Sequence, residues 1–128
     1  MPDWSEVREH LRTTYKLEDD QGSLASMVWK YDDGRSQKIV VRRYTAFERD
    51  MIEIKSAFAR RDQADPVTLL TRNADLPLGT IALSGDVYIV VYNTLLANLE
   101  WSDLELYLTR VAAIADALES EHGGDDTF

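Results

Sequence analysis

Apolar positions at the start of the chain fall into helical spacing. Trp4, Val7, Leu11 and Tyr15 recur at intervals of three and four, with Glu6, Arg8, Glu9 and Arg12 between them. This is the stripe of an amphipathic helix. Asp3, followed three positions later by Glu6, completes a capping-box pattern, so a helix over about 3–15 is predicted. Gln21-Gly22-Ser23 then interrupts the chain. Beyond it the period changes to two. Met27, Trp29 and Tyr31 alternate over 26–31, and Asp32-Asp33-Gly34-Arg35 supplies a turn. A return strand over 37–44 sets Val40 and Tyr44 against Ile39 and Val41. A third strand over 51–58 sets Ile52, Ile54 and Ser56 against Met51, Glu53 and Lys55. These three predict an antiparallel meander.

Pro66 behind Asp65 has the signature of a capped helix start, and the short helix runs through Leu69, Leu70 and Asn73 to Leu76-Pro77-Leu78-Gly79. Strands over 80–83 and 87–92 form a second hairpin across Ser84-Gly85-Asp86. Ser102 and Glu105 repeat the capping-box spacing before a last helix. Its apolar face is Leu104, Tyr107, Leu108, Val111, Ile114, Ala115 and Leu118, and it ends near Glu119. The predicted order is α-β-β-β-α-β-β-α, a single α+β domain over 1–121 with helices packed on an antiparallel sheet. Residues 122–128, with Gly123-Gly124-Asp125-Asp126, are expected to be a flexible acidic tail.

Composition narrows the function. A chain of 128 residues buries roughly two thirds of its unfolded surface, enough for a core without staples. It has no cysteine, which excludes disulfides, thiolate catalysis and Cys-based metal sites. The net charge is −9, which opposes nonspecific nucleic-acid binding. That charge is uneven: 30–72 holds ten Lys/Arg against seven Asp/Glu, whereas from Asn73 onward Arg110 is the one base among ten acids. The opening residues lack the apolar run of a secretion signal. The longest apolar stretch, Val87 to Tyr92, has six residues and suits a buried strand, not a membrane span. A cytoplasmic protein without membrane insertion is expected.

The search for chemistry is largely negative. His10 and His122, the two histidines, form no metal-ligand motif. Ser84-Gly85-Asp86 lacks the context of a nucleophile elbow, and the glycines make neither a dinucleotide fingerprint nor a P-loop. Asp19-Asp20, Asp32-Asp33 and Asp125-Asp126 lack calcium-loop spacing. Glu53, between Ile52 and Ile54, is the most site-like acid, yet alternation puts it on an outer face where Lys38 or Arg42 can pair with it. Arg42-Arg43-Tyr44 and Phe47 lack the pattern of an RNA-binding sheet. No catalytic residue, metal site or cofactor is expected. Apolar surface is the better clue: the Trp4–Val7–Leu11 stripe must pack on something, and Trp101 sits at a loop-to-helix junction.

The element order resembles the type III secretion chaperone-like fold, together with YbjN-like proteins. The phrases that carry the resemblance are Gly34-Arg35-Ser36-Gln37 before Ile39-Val40-Val41, Ile52-Glu53-Ile54-Lys55-Ser56, and Leu69-Leu70-Thr71-Arg72-Asn73 running into Leu76-Pro77-Leu78-Gly79. Val87 to Tyr92 and Val111 to Glu119 extend it over about 5–120. The resemblance implies a noncatalytic acidic protein, often a homodimer, that holds an extended segment of a client protein. It makes Trp4, Val7, Leu11, Trp29 and Val41 candidate client contacts, and Val67 and Leu70, with the neighbouring strand, the candidate dimer surface. A YbjN-like regulatory protein that binds a partner outside secretion is the alternative it implies.

Overall fold

Asp3 caps the first helix as its spacing predicts: its carboxylate accepts from the Glu6 amide at 2.9 Å, and Glu6 accepts from the Asp3 amide at 3.3 Å. The computed structural model describes residues 2–123 and residue 128. Helix α1 (Trp4–Thr14) leads into strands β1 (Leu17–Gln21), β2 (Leu24–Lys30), β3 (Ser36–Ala46) and β4 (Arg49–Arg60). Helix α2 (Pro66–Asn73), strands β5 (Thr80–Ser84) and β6 (Val87–Leu95), and helix α3 (Trp101–Leu118) follow. A π-helical turn, Glu119–Gly123, extends α3. One six-stranded sheet results, in the order β1-β2-β3-β4-β6-β5, and every neighbouring pair is antiparallel.

Three local expectations are corrected. The stretch 17–21 is a strand, so the order is α-β-β-β-β-α-β-β-α. Its residues, Leu17-Glu18-Asp19-Asp20-Gln21, carry no apolar alternation. They are extended because the turn at Gly22-Ser23 folds them onto β2, with Gln21 opposite Leu24. Ser102 does not cap α3. The helix starts two residues earlier, with Glu100 at the N-cap and the Asp103 and Leu104 amides on its carbonyl. The expected tail begins later than 122, since His122 and Gly123 belong to the π-helical turn and Gln63 donates to the Gly123 carbonyl at 3.3 Å. Phe128 also touches the body, through a 2.9 Å bond from the Lys38 amide to its carbonyl. The rest of that tail, 124–127, lies outside the described residues.

Alternation sorts the sheet into two faces. Ala25, Met27, Ile39, Val41, Ile52, Ile54 and Val90 point inward and meet Val7 and Leu11 of α1 and Leu104, Leu108, Val111, Ala112, Ala115 and Leu118 of α3. A bulge at Ala57/Ala59 lets Phe58 and Ala59, adjacent in sequence, both be buried. The opposite face carries Val28, Val40, Arg42, Glu53, Lys55 and Val91, half-buried. Where β3 and β4 part below Val40, side chains replace the ladder. The buried Gln37 amide donates to Ser56 Oγ at 2.8 Å and to the Ala57 carbonyl, and Ser56 donates to the Lys38 carbonyl at 2.6 Å.

Gly79, at φ 80°, brings β5 against β6 so closely that a Cβ would meet Val90 Cγ1 and the Val91 carbonyl oxygen at 3.3 Å. The β3–β4 hairpin turns on Phe47 (φ 53°) and Glu48 (φ 60°). Positive φ at both central positions is the turn that favours Asn-Gly, and left-handed backbone costs an ordinary residue about 1–2 kcal/mol.

Candidate partner-binding surfaces

The first helix is bound to its own sheet by polar as well as apolar contacts. Val7 and Leu11 are fully buried, as is Val41 on β3. These three candidate client contacts therefore belong to the core: α1 has to bury one face, and the first half of the sheet is the surface it buries it on. Trp4 and Trp29 keep part of their surface. Trp4 Nε1 donates to the Gly22 carbonyl at 2.7 Å, which fastens the helix start to the β1–β2 turn. Trp29 packs against Tyr15, ring centroids 5.5 Å apart. Arg8 reaches Asp20 on β1 at 2.6 Å, and Arg12 joins the same carboxylate. Hydrogen bonds from Arg12 and Arg8 hold the Asp20 carboxyl below its ordinary pKa. Asp19, bonded by Ser26 and Lys38, is lowered likewise.

Beside the middle of α1 is the aromatic that the sequence places at a loop-to-helix junction. Trp101, the first residue of α3, is 40% exposed, and its ring lies 4.9 Å from that of His10. Trp4, Trp29 and Trp101 are thus the tryptophans with surface to offer on the α1 side, and only contacts across the fold distinguish them from Val7 and Leu11.

The second surface surrounds α2. Asp65 caps it, accepting from the Thr68 amide at 3.0 Å, and Pro66 occupies the first turn. Eight residues make little more than two turns, so only Leu69 reaches the core. Val67 is left 69% exposed and Leu70 67%. Beside them lies a hollow of about 190 Å³ lined by Leu69, Leu70, Ile81, Leu83 and Tyr88, and Leu83 on β5 is itself exposed. The last residue of α2 reaches β5, which is the sheet edge. Asn73 Oδ1 accepts from the Ile81 amide at 2.6 Å, while its Nδ2 donates to the Ile81 carbonyl at 3.1 Å. One side-chain amide so satisfies the outward backbone groups of Ile81. Nothing in the local sequence pattern marks Asn73 for this role.

Glu53 has the fate that strand alternation assigns it. It faces Arg42 across the β3–β4 pair and accepts from Arg42 Nε at 3.2 Å and Nη2 at 3.1 Å, with Lys55 Nζ at 3.3 Å. Burial pushes its carboxyl up, and the bonds from Arg42 and Lys55 outweigh that, holding it below the ordinary glutamate value. The group is a carboxylate held in an ion-pair network. Among the described residues there is no group of three or more His, Asp or Glu fit to hold a metal, and no helix long and apolar enough to cross a membrane.

No protein-family model matches this chain. No curated protein matches it by sequence either. Solved structures do. A chain of the HopA1–SchA chaperone–effector complex superimposes with a TM-score of 0.64 at 9% identity, covering 89% of this chain and 88% of that one. This protein has the fold of a chain in a chaperone–effector complex. A chain of the ExsC–ExsE complex gives a TM-score of 0.63 at 15% identity, with 94% and 96% covered. Both likenesses run over nearly the whole length, so the helix, sheet and C-terminal helix are shared as one unit.

Proposed function

We propose that this chain is a noncatalytic, chaperone-like binding module of the cytoplasm that holds an extended segment of a client protein and works as a homodimer. The observation that carries the reading is the pairing of that fold with an apolar ledge at α2, where Val67 and Leu70 are about two-thirds exposed beside Leu83. Large apolar side chains grouped at one sheet edge mark an interaction surface. Val67 and Leu70 are assigned to the two-fold dimer contact. The client is assigned to the α1 side, where Trp4, Trp29 and Trp101 offer aromatic surface above the buried Val7, Leu11 and Val41. The net charge of −9 would steer clients of basic character.

The test uses three baits captured from the native lysate: wild type, Trp101→Asp and Leu70→Asp. The reading expects one or two abundant proteins on the wild type that are lost from Trp101→Asp, and a halved solution mass for Leu70→Asp. A client outside any secretion pathway would favour the regulatory alternative. Identical captures from all three folded baits, with no specific protein on any, would overturn the reading.

A further inference from the structure

The β3–β4 hairpin tip presents an unusual side chain. Phe47 is 93% exposed, and it is held there by a turn whose two central residues both have positive φ, a conformation that suits Asn-Gly. A phenyl ring in water on a backbone that disfavours it is costly twice over, and strain of this kind gathers at functional positions. Glu48 follows it in the same rigid turn, exposed and without an ion-pair partner among the described residues.

Elsewhere lies a groove of complementary character. Pro77 and Leu78, ahead of β5, face Leu106, Ala113, Ile114 and Ala117 on the outer side of α3, enclosing about 460 Å³. Arg110 stands in its wall. It is exposed, no described carboxylate pairs with it, and it is the one Lys or Arg from Asn73 onward. An apolar floor beside a free guanidinium matches an aromatic ring beside a free carboxylate. Phe47 is nearly wholly exposed, so it does not fill the groove of its own chain.

We propose that the Phe47–Glu48 tip of one copy docks in the α3 groove of a second, with Phe47 between Leu78 and Leu106 and Glu48 paired to Arg110. The two patches differ, so the contact is head-to-tail and independent of the two-fold contact assigned to α2. Such a contact continues from copy to copy or closes into a ring. A single tip and groove make a small interface, so association is weak and concentration-dependent.

Sedimentation from micromolar to about millimolar protein tests this. Wild type is expected to gain mass beyond the dimer at the upper end. Phe47→Asn suits the turn, so it is expected to raise the Tm while abolishing that gain. Glu48→Arg and Arg110→Glu should each weaken association about tenfold, the order of one well-placed charge pair, and together they should restore it. Mixing Phe47→Asn protein, whose groove is intact, with Ala113→Trp protein, whose tip is intact, should recover one contact that neither forms alone. A wild-type mass that stays constant across the range overturns the proposal, as does a double charge reversal no better than either single, or a mixture that behaves as the sum of its parts.

Discussion

Helices α1 and α2 both carry apolar residues at helical spacing, and the sheet treats them differently. Helix α1 is 11 residues long. It sinks Val7 and Leu11 completely, ties Trp4 to the β1–β2 turn, and sends Arg8 and Arg12 to one carboxylate on β1. Helix α2 has 8 residues and sinks only Leu69, holding its place through Asn73 and leaving Val67 and Leu70 outside. An apolar stripe thus means core where a helix is long enough to lie along the sheet, and free surface where a short helix meets the sheet at its edge. Spacing within the helix cannot distinguish the two.

The largest effect tests what closes the core behind α3. Arg35, in the β2–β3 turn, reaches Asp116 at 2.9 Å and Glu119 at 3.4 Å, and Glu119 is fully buried. Arg35→Ala takes the guanidinium from a buried carboxylate that still accepts from the Phe128 amide at 2.9 Å, so unfolding in urea should show a loss of about 3–5 kcal/mol. Next comes the direct contrast between the helices. Leu11→Ala should cost about 2–5 kcal/mol, as buried leucines do, whereas Leu70→Ala should move stability by less than about 0.5 kcal/mol. Equal losses in the two variants would erase the difference drawn here. Asn73→Ala should be intermediate, about 1–3 kcal/mol, because it uncovers the amide and carbonyl of Ile81. Faster hydrogen exchange at the Ile81 amide would localise that loss to the edge.

The smallest expected effect is a pH dependence confined to the α1 half and the outer sheet face. Asp19, Asp20 and Glu53 are all lowered in the folded state. Their contribution is therefore present above their unfolded values and fades as pH falls through the lower folded ones, in a window starting near about pH 4 and running downward. Asp20→Asn should flatten that part of the stability profile by lowering the plateau near neutral pH slightly, leaving the acid end almost unchanged.

Much of the architecture was legible because it rests on local pattern. The period-two faces of β3 and β4, the capping box at Asp3 and the hairpin at Gly85 need only near neighbours in sequence. Strand β1 escaped because its pairing with β2, not its composition, makes it extended. Exposed apolar surface was legible only in part. Val67 and Leu70, expected at a surface, are exposed, but the burial of Val41 follows from helices packed over the sheet and not from the strand pattern. Trp101 and Asn73 depend on residues brought to them by the fold, His10 and Ile81.

The sheet's two edges are guarded by different chemistries, and that predicts how the protein would fail. At β5 the outward groups of Ile81 are occupied by a neutral amide that no change of pH removes. At β1 the safeguard is a set of ion pairs, Asp20 with Arg8 and Arg12 and Asp19 and Glu18 with Lys38, whose charged side chains keep a second strand from annealing there. Acid discharges the carboxylates and leaves the three cations as that edge's barrier, without touching the other edge. Precipitation or fibril growth at low pH should therefore begin with β1 edges zipping together once added salt screens those cations.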